Sequence, residues 1–333
     1  MTTTERGEPA PGGSDARFRR FEIPLAAWFP LAILAGMFFV PVGGVILGAI
    51  AWPFAPAPLV RLAHRRGIGS AAAAAALSGA ILALVLGPAE GWAAAAGAGL
   101  VVAFSIGLPA ASAARVRAGT DPSRAFLALA ATGFLVFSGC MLVLPLLFGS
   151  TSVSKSLRSA LDVNIPAAIE SYRRANMDAA TLEQMQRALV QARDLTVRYW
   201  PGLLGAYWIL SSAVGYYAGA WSARPAPSAE AARFENLRLP APVAGLFVAS
   251  GAAFALLPTE ARGLAGDVLI ALAALYFVAG LSIICHFARR WFQTRALRIG
   301  LYVLVSYFPM SLGVALLGLF DWYFQFRRRG EKG

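Results

Sequence analysis

The sequence predicts an all-α protein, a polytopic transmembrane helix bundle of about eight to ten membrane passes with a helical extracytoplasmic insertion. Three observations support this prediction. Hydrophobic residues make up 58% of the 333-residue chain and charged residues 14%, a charge share well below that of soluble domains. Apolar runs recur from Leu25 to Phe326, each about long enough for a ~30 Å hydrocarbon layer. The polar gaps between these runs alternate between arginine-rich and arginine-poor.

The distribution of basic residues predicts the topology. If the gaps are assigned alternately to two sides, 21 of the 29 basic residues fall on one side. Seven of the other eight lie in the connection 150–200, which leaves Arg262 alone in the short outer gaps. Because cytoplasmic loops carry the excess of Lys and Arg, we expect a protein of the bacterial cytoplasmic (inner) membrane with both termini in the cytoplasm.

The net charge of +12 bears on the partners of the chain. Nucleic-acid binding usually needs a clustered basic face, whereas these residues are spread over separate cytoplasmic gaps. We therefore expect the lipid bilayer, including its anionic lipid, as the partner of the basic residues, and no nucleic acid.

The order of polar and apolar segments divides the chain into five parts. Residues 1–16 are rich in Thr, Gly, Pro and charge, which predicts a disordered cytoplasmic tail. Residues 17–149 hold the N-terminal transmembrane helices and 201–326 the C-terminal ones. Between them, 150–200 is the extracytoplasmic insertion, and 327–333 forms a basic cytoplasmic tail.

Individual spans follow from run length and from helix-breaking residues. The apolar region 25–62 is too long for one helix, so Pro41 and Gly43-Gly44 are predicted to divide it into two spans. Further spans are predicted at 69–87, 91–110, 124–148, 201–221, 241–257 and 265–287.

The last apolar stretch, 299–326, allows two interpretations. As one helix it would place the arginines that follow it outside, whereas a break near Ser306–Pro309 keeps them inside. We favour the break. Its two halves are short for a bilayer, so a re-entrant or strongly kinked segment is the alternative to two passes.

The insertion 150–200 is predicted to form one or two amphipathic helices. Thr181 and Gln184 have the spacing of a capping box, and Pro166 suits the first turn of a separate helix. These helices either lie on the membrane surface or cap the protein's own spans, and their modest amphipathicity favours the cap. The helical spacing is carried by Leu182, Met185, Leu189, Ala192 and Leu195.

Tryptophans support this map of spans. All but one lie near predicted span ends, as the aromatic belts at membrane interfaces require. Only Trp208 is predicted to lie deep.

Ionisable side chains inside the apolar runs are the first candidates for function. Asp267 lies at an outer edge where water is in reach. Asp321 precedes Arg328 by seven residues, so the two share a helix face about two turns apart. This pair is either an interfacial carboxylate offset by the terminal arginines, which we prefer, or a gate or docking pair.

Other features of the sequence argue against catalysis. No mid-span series of carboxylates supports a proton or ion pump. Cys140 and Cys285 lie far apart and in no C-x-x-C motif. No H-E-x-x-H, G-x-S-x-G or P-loop occurs. We therefore expect no enzyme activity, no catalytic residue, no cofactor and no metal.

Small residues and three tyrosines are further candidates, for helix packing and for lining a cavity. Gly44 and Gly48, and likewise Gly215 and Gly219, have the G-x-x-x-G spacing that lets helices approach closely, and 71–76 is an alanine run. The hydroxyl groups of three tyrosines are candidates for lining a cavity, with core filling as the alternative role. These residues are Tyr216, Tyr217 and Tyr276.

Four stretches carry a resemblance to a known family. They are Arg61–Gly67, Phe234–Pro240, Tyr276-Phe277 with Gly280, and Leu317–Arg327. Together they resemble the YybS-like family of uncharacterised bacterial multispanning membrane proteins, over about 20–327 and least well in 150–200. The family ending usually reads D-x-x-x-D-F-R; here Gln325 replaces the second acid, so a role that needs both carboxylates is not carried over.

The resemblance implies two functional expectations of different class. The family is distantly similar in architecture to the S components of energy-coupling-factor transporters and to the membrane subunit of the rod-shape machinery. The resemblance to this family therefore favours a transport-associated or small-molecule-binding subunit. Such a subunit would need other membrane proteins or a transporter ATPase as partners, because the sequence has no nucleotide site. The alternative is a non-enzymatic scaffold or assembly protein of the cell envelope, acting through its faces and 150–200.

Overall fold

A computed structural model describes residues 13–39, 44–148, 153–175, 177–224, 226–292, 294–307, 310–324 and 326–327. Throughout these residues the regular secondary structure is helical. The prediction of an all-α chain with several apolar helices is confirmed.

The first seven α-helices of the described residues extend into the predicted insertion, of which α7 is the first helix. They are α1 Gly13–Phe39, α2 Gly44–Ala51, α3 Ala57–Arg66, α4 Ile68–Glu90, α5 Trp92–Arg117, α6 Pro122–Phe148 and α7 Val153–Arg174. A single 3₁₀ turn, Trp52–Phe54, precedes α3.

The remaining described helices follow in order. They are α8 Ala179–Arg198, α9 Trp200–Ala223, α10 Pro227–Ala231, α11 Ala241–Leu256, α12 Thr259–Trp291, α13 Arg295–Ser306 and α14 Met310–Phe324. A second 3₁₀ turn, Phe234–Asn236, lies between α10 and α11.

Several of these helices are suited to a membrane. Among the described residues, α4, α5 and the part Arg262–Trp291 of α12 are long and apolar enough to cross one. Shorter apolar helices cover Glu22–Met37, Pro122–Val136 and Ala241–Leu256. The larger number of about eight to ten passes remains a prediction.

The last apolar stretch is broken where the sequence predicted it. Helix α13 ends at Ser306 and α14 begins at Met310, and the two axes are bent by 94°. The bent pair is apolar enough to be one broken span or a re-entrant segment, so the choice between one and two passes stays open.

The chain folds as two compact units. Unit 1 contains Met1–Phe126 and Ser211–Arg233, and unit 2 contains Leu127–Leu210 and Phe234–Gly333. Helices α6 and α9 therefore contribute residues to both units.

In unit 1, close helix packing depends on small residues. Gly67 and Gly91, at φ of 93° and 86°, join α3 to α4 and α4 to α5. Gly79 of α4 and Gly99 of α5 touch so closely that a Cβ on either would overlap the backbone of the other. The alanine run also contributes, since Ala71, Ala74 and Ala75 of 71–76 are buried.

The predicted glycine motif of α9 also packs in unit 1. A Cβ on Gly215 would lie 2.8 Å from the Pro53 carbonyl oxygen, and one on Gly219 would lie 2.6 Å from the Ala57 carbonyl oxygen. Both glycines thus bring α9 against the segment that contains α3, as expected for this motif within one bundle.

In unit 2, α12 packs against α14, and α11 lies beside α12. The contact is tightest where Gly280 faces the Val314 carbonyl group and Gly318 faces the Tyr276 carbonyl group. A Cβ at either glycine would overlap that carbonyl oxygen.

The insertion folds as two helices, α7 and α8, that pack together. Arg193 of α8 bonds Asp162 of α7 at 2.6 Å. The helix cap differs from the prediction: Asp178, not Thr181, is the N-cap residue of α8, and its extended backbone lets its carboxylate accept from the Thr181 N–H at 2.9 Å.

Pro166 also differs from its predicted place at a helix start. It lies inside α7, a helix of 22 residues. A proline removes one backbone donor from a helix, and α7 continues through that loss.

The tryptophans predicted near span ends differ in exposure. Trp28, Trp92, Trp221, Trp291 and Trp322 are each more than half exposed, as is typical of interfacial residues, whereas Trp52 and Trp200 are half-buried. Trp208 is 7% exposed, and its indole N–H points to the Leu129 carbonyl oxygen at 3.5 Å.

The glycine contact between α12 and α14 predicts an effect on stability. Gly318→Ala should destabilise the protein by about 1–3 kcal/mol, since the new methyl group overpacks against α12. Gly313→Ala in the same helix meets nothing within 4 Å and should leave stability unchanged or raised. Thermal unfolding of both variants in one detergent checks this, and equal midpoints would contradict the packing.

Candidate functional site

Three stretches far apart in sequence meet in unit 2 around the side chain of Arg327. One guanidinium nitrogen, Nη1, donates to the Glu235 carbonyl oxygen at 2.5 Å. The other, Nη2, donates to Ser282 Oγ at 2.7 Å. Two of these stretches, 234–240 and 317–327, are among those that carry the family resemblance, and Ser282 follows the third by two residues. The structure thus brings this part of the resemblance to one place.

Arg327 is buried, with 4% of its surface exposed. The sequence assigned Arg327 to the basic tail 327–333, and the structure places its side chain inside unit 2. The physical reason is its set of partners: two hydrogen bonds hold a charge that would otherwise be costly to bury.

Asp321 is the nearest acid to Arg327. Its Oδ2 lies 3.8 Å from Arg327 Nη2, and its Oδ1 accepts from the Phe326 N–H at 3.2 Å. The carboxylate therefore offsets the arginine charge and also holds the turn after α14.

Glu235 adds a buried carboxylate to this cluster. Its side chain is 10% exposed and bonds Arg289, near the end of α12, at 2.8 Å. Because Glu235 uses its carbonyl group for Arg327 and its carboxylate for Arg289, it ties the segment 234–240 to both α12 and the chain end.

A cavity of about 160 Å³ opens beside this cluster. Benzene fills a cavity of about 150 Å³, so this cavity has room for a molecule of similar size or for a few waters. It is lined by Leu237, Arg238, Leu239, Pro240, Tyr276, Ala279, Gly318, Asp321, Trp322 and Arg327.

Tyr276 lines the cavity and carries a polar group without a partner among the described residues. Its side chain is buried, and its hydroxyl group has no hydrogen-bond partner among the described residues. The ring packs edge-on against Phe247, with centroids 5.4 Å apart. Since a buried unsatisfied hydroxyl costs about 1–3 kcal/mol, a polar molecule in the cavity would stabilise this arrangement.

The predicted site residues are divided by the structure. Tyr276 and Asp321 line one cavity of unit 2, whereas Tyr216 and Tyr217 belong to unit 1. Arg328, the predicted partner of Asp321, lies outside the described residues.

Sequence reasoning missed Arg327, Glu235 and Ser282. The positive-inside pattern assigned Arg327 to the tail, and Glu235 stood in a polar gap. One feature of the sequence could have identified two of them: Arg327 and Glu235 both lie in stretches that carry the family resemblance.

Asp267 lies differently from its predicted water-accessible edge. It is 8% exposed, and its Oδ1 accepts from the Gly202 N–H at 2.9 Å. The first N–H groups of a helix have no partner within it, so Asp267 satisfies one in the first turn of α9.

Tyr216 lies in an aromatic cluster of unit 1. It is fully buried, with ring centroids 5.0 Å from Tyr217, 6.2 Å from Phe126 and 6.4 Å from His64. Its hydroxyl group has no partner among the described residues. Tyr216 therefore helps to fill the core of unit 1.

His64 is the titratable group of this cluster. It lies beyond the apolar run 25–62, outside the predicted spans. Its Nδ1 is 3.0 Å from Ser228 Oγ, and its carbonyl oxygen accepts from Arg117 at 3.3 Å. Burial lowers the pKa of His64 from 6.5 to about 4, and the charge of Arg117 adds to the shift.

No group of three or more His, Cys, Asp or Glu that could hold a metal ion occurs within the described residues. The side chain of Cys140 lies outside them.

Comparison with known proteins supplies one match. The model of a family described as "Predicted membrane protein (DUF2232)" matches residues 29–322. No curated protein matches the chain, and no solved structure does.

The Arg327 cluster predicts unequal effects of its two charges. Arg327→Gln removes two charged hydrogen bonds, each worth about 1.5–3 kcal/mol, so the purified protein should unfold at a clearly lower temperature. Asp321→Asn keeps an oxygen that can accept from Phe326 and should cost less than about 1 kcal/mol. A larger loss for Asp321→Asn, in thermal unfolding or in yield, would make Asp321 the structural centre instead.

His64 predicts that acid destabilises the fold. Its pKa is lower in the folded than in the unfolded chain, so the unfolded chain binds more protons in that window. The stability from neutral His64 is complete above pH 6.5 and is lost toward pH 4, by roughly 3 kcal/mol in all. Thermal unfolding between pH 7 and pH 5 measures the first part of this loss of stability.

The matched variants for this test are His64→Gln and His286→Gln. His64→Gln should show a weaker pH dependence than the wild type, whereas His286→Gln should retain it. An unchanged pH dependence in His64→Gln would show that another group causes the acid effect.

Proposed function

We propose that this chain, which belongs to the DUF2232 family of predicted membrane proteins, is a non-enzymatic subunit that binds a small polar molecule in the cavity of unit 2. We place it in the bacterial cytoplasmic membrane with both termini in the cytoplasm. One observation carries the proposal: Tyr276, whose buried hydroxyl has no partner among the described residues, lines the cavity together with Asp321 and two arginines.

The size of the cavity limits the ligand. At about 160 Å³, it lies below the usual range of drug-sized pockets, so the ligand has few non-hydrogen atoms. A hydrogen-bonding group on that ligand would meet the Tyr276 hydroxyl, which is free to donate or accept.

The charges of the wall define the ligand further. Arg238 and Arg327 line the cavity with one acid, Asp321. Two guanidinium groups against one carboxylate favour a neutral, zwitterionic or singly anionic molecule over a cation.

The same wall supports binding without chemistry. Among the described lining residues there is no Cys, His, Ser or Lys, and the Asp321 carboxylate is engaged by Arg327 and the Phe326 N–H, so the described wall has no free nucleophile beside a general base. Arg327 is committed to Glu235 and Ser282, which fits a fixed recognition group.

The transport-associated role rests on resemblance. The YybS-like stretches, and the distant architectural similarity to S components, favour a subunit that captures a molecule within the membrane for a larger assembly. The sequence has no P-loop, so a transporter ATPase would have to supply the energy.

A specific observation favours the alternative function, a scaffold or assembly protein of the cell envelope. Among the described residues of α7 and α8, only Ile169 is buried, while Val163 and Leu195 are 71% and 51% exposed. The Asp162–Arg193 bond holds the two helices together, so the pair presents a preformed, partly apolar surface.

The binding proposal predicts a retained ligand. Native mass spectrometry of protein extracted in a mild detergent should show a non-lipid adduct of defined mass. Tyr276→Phe should lower its occupancy at least several-fold, because that variant removes only the hydroxyl group.

Tyr216→Phe is the matched control, since Tyr216 is the buried tyrosine of unit 1 with the same unpartnered hydroxyl. It should retain the adduct at wild-type occupancy. A wild-type protein that carries only lipids or protein partners would contradict the binding proposal and favour the scaffold. Deletion of α7 and α8 would then be expected to release those protein partners.

A further inference from the structure

A groove of about 820 Å³ lies on unit 1, apart from the cavity of the proposed function. It is formed by α1, the segment from Phe54 through α3, and the end of α9. We call it the cationic groove. It is lined by Glu22, Leu25, Ala26, Phe29, Phe54, Ala57, Pro58, Arg61, Leu62, Arg65, Ala218, Trp221 and Ser222.

Most of the cationic groove is apolar and open. Leu25 is 67% exposed, Phe29 43%, Phe54 47% and Trp221 68%. Large apolar side chains that are left open side by side mark a surface that binds an apolar partner. At the edge of a span in a membrane protein, this apolar partner is the acyl chain of a lipid.

The polar part of the cationic groove is positively charged. Arg61 and Arg65 lie one turn apart on α3, and both are exposed. Neither forms a hydrogen bond or an ion pair with any residue that the structure describes. Two arginines at this spacing can hold one phosphate group between them.

The other charged groups at the cationic groove do not cancel this charge. Glu22 is the one acid in its lining, and its carboxylate bonds Arg66 at 2.7 Å. Because Arg66 offsets Glu22, the charges of Arg61 and Arg65 remain available to a ligand.

The position of the cationic groove fits the headgroup level of a bilayer. Glu22 begins the apolar part of α1, Glu22–Met37, and Trp221 is three residues before Arg224, a basic residue of a predicted cytoplasmic gap. Exposed tryptophans are typical of the membrane interface. The groove thus combines an apolar wall with two cations on the side that faces anionic lipid.

We propose that the cationic groove binds an anionic phospholipid. The phosphate group lies between Arg61 and Arg65, and an acyl chain packs along Phe29, Phe54 and Trp221. The charge of the two arginines selects an anionic over a zwitterionic headgroup, while the aromatic wall distinguishes a lipid from free phosphate.

The test uses the full-length protein in vesicles of phosphatidylglycerol and phosphatidylcholine in equal parts. After extraction in a mild detergent, the lipids that remain bound are identified by mass. The wild type should retain phosphatidylglycerol several-fold over phosphatidylcholine. Arg61→Gln with Arg65→Gln should bring that ratio close to one.

Arg115→Gln with Arg124→Gln is the matched control. These two arginines are also exposed residues of unit 1 and of the same predicted side, but they do not line the groove. This pair removes the same charge and should keep the wild-type ratio. Circular dichroism and size-exclusion chromatography confirm that both double variants are folded.

Three results would overturn the proposal. One is equal retention of both lipids by the wild type. The second is an equal loss of selectivity in the control pair, which would show a general charge effect. The third is displacement of the lipid by inorganic phosphate but not by chloride at the same ionic strength, which would make the groove a phosphate site.

Discussion

The close approach of α12 and α14 at Gly280 and Gly318 is the contact on which the candidate site depends. Without a Cβ at either position, each backbone reaches the carbonyl groups of the other helix. In lipid there is no hydrophobic force between helices, so such packing is a main source of their association. This contact fixes Tyr276 of α12 opposite Asp321 of α14, and the cavity lies where they face each other.

Paired charged residues lie beside the cavity and hold its segments together. Arg327 connects the chain end to the 234–240 segment and to α12, and Glu235 connects that segment to Arg289. Each buried ion has a partner, because an unpaired charge inside a protein costs several kcal/mol. The buried carboxylate of Asp267 also has a partner, the Gly202 N–H in the first turn of α9. Among the described residues that line the cavity, Tyr276 then carries a buried hydroxyl group without a hydrogen-bond partner.

In both units, helices approach closely at glycines, but the surfaces beside these contacts differ. In unit 1, Gly215 and Gly219 bring α9 against the α3 segment, which places Trp221 beside the arginines of α3 in the cationic groove. In unit 2, glycines bring α12 and α14 together beside the cavity. Close backbone contact thus accompanies an open groove in one unit and a smaller cavity in the other.

The sequence by itself determined the helical class, the apolar runs, the break near Ser306 and the packing pair Gly215 and Gly219, because composition and spacing are local properties of a chain. It also placed Tyr276 and Asp321 among the candidates. Only the tertiary structure decided that Arg327 is buried and that Glu235 and Ser282 hold it. Burial and pairing depend on residues nearly a hundred positions apart, and neither periodicity nor charge counting along the chain contains that information.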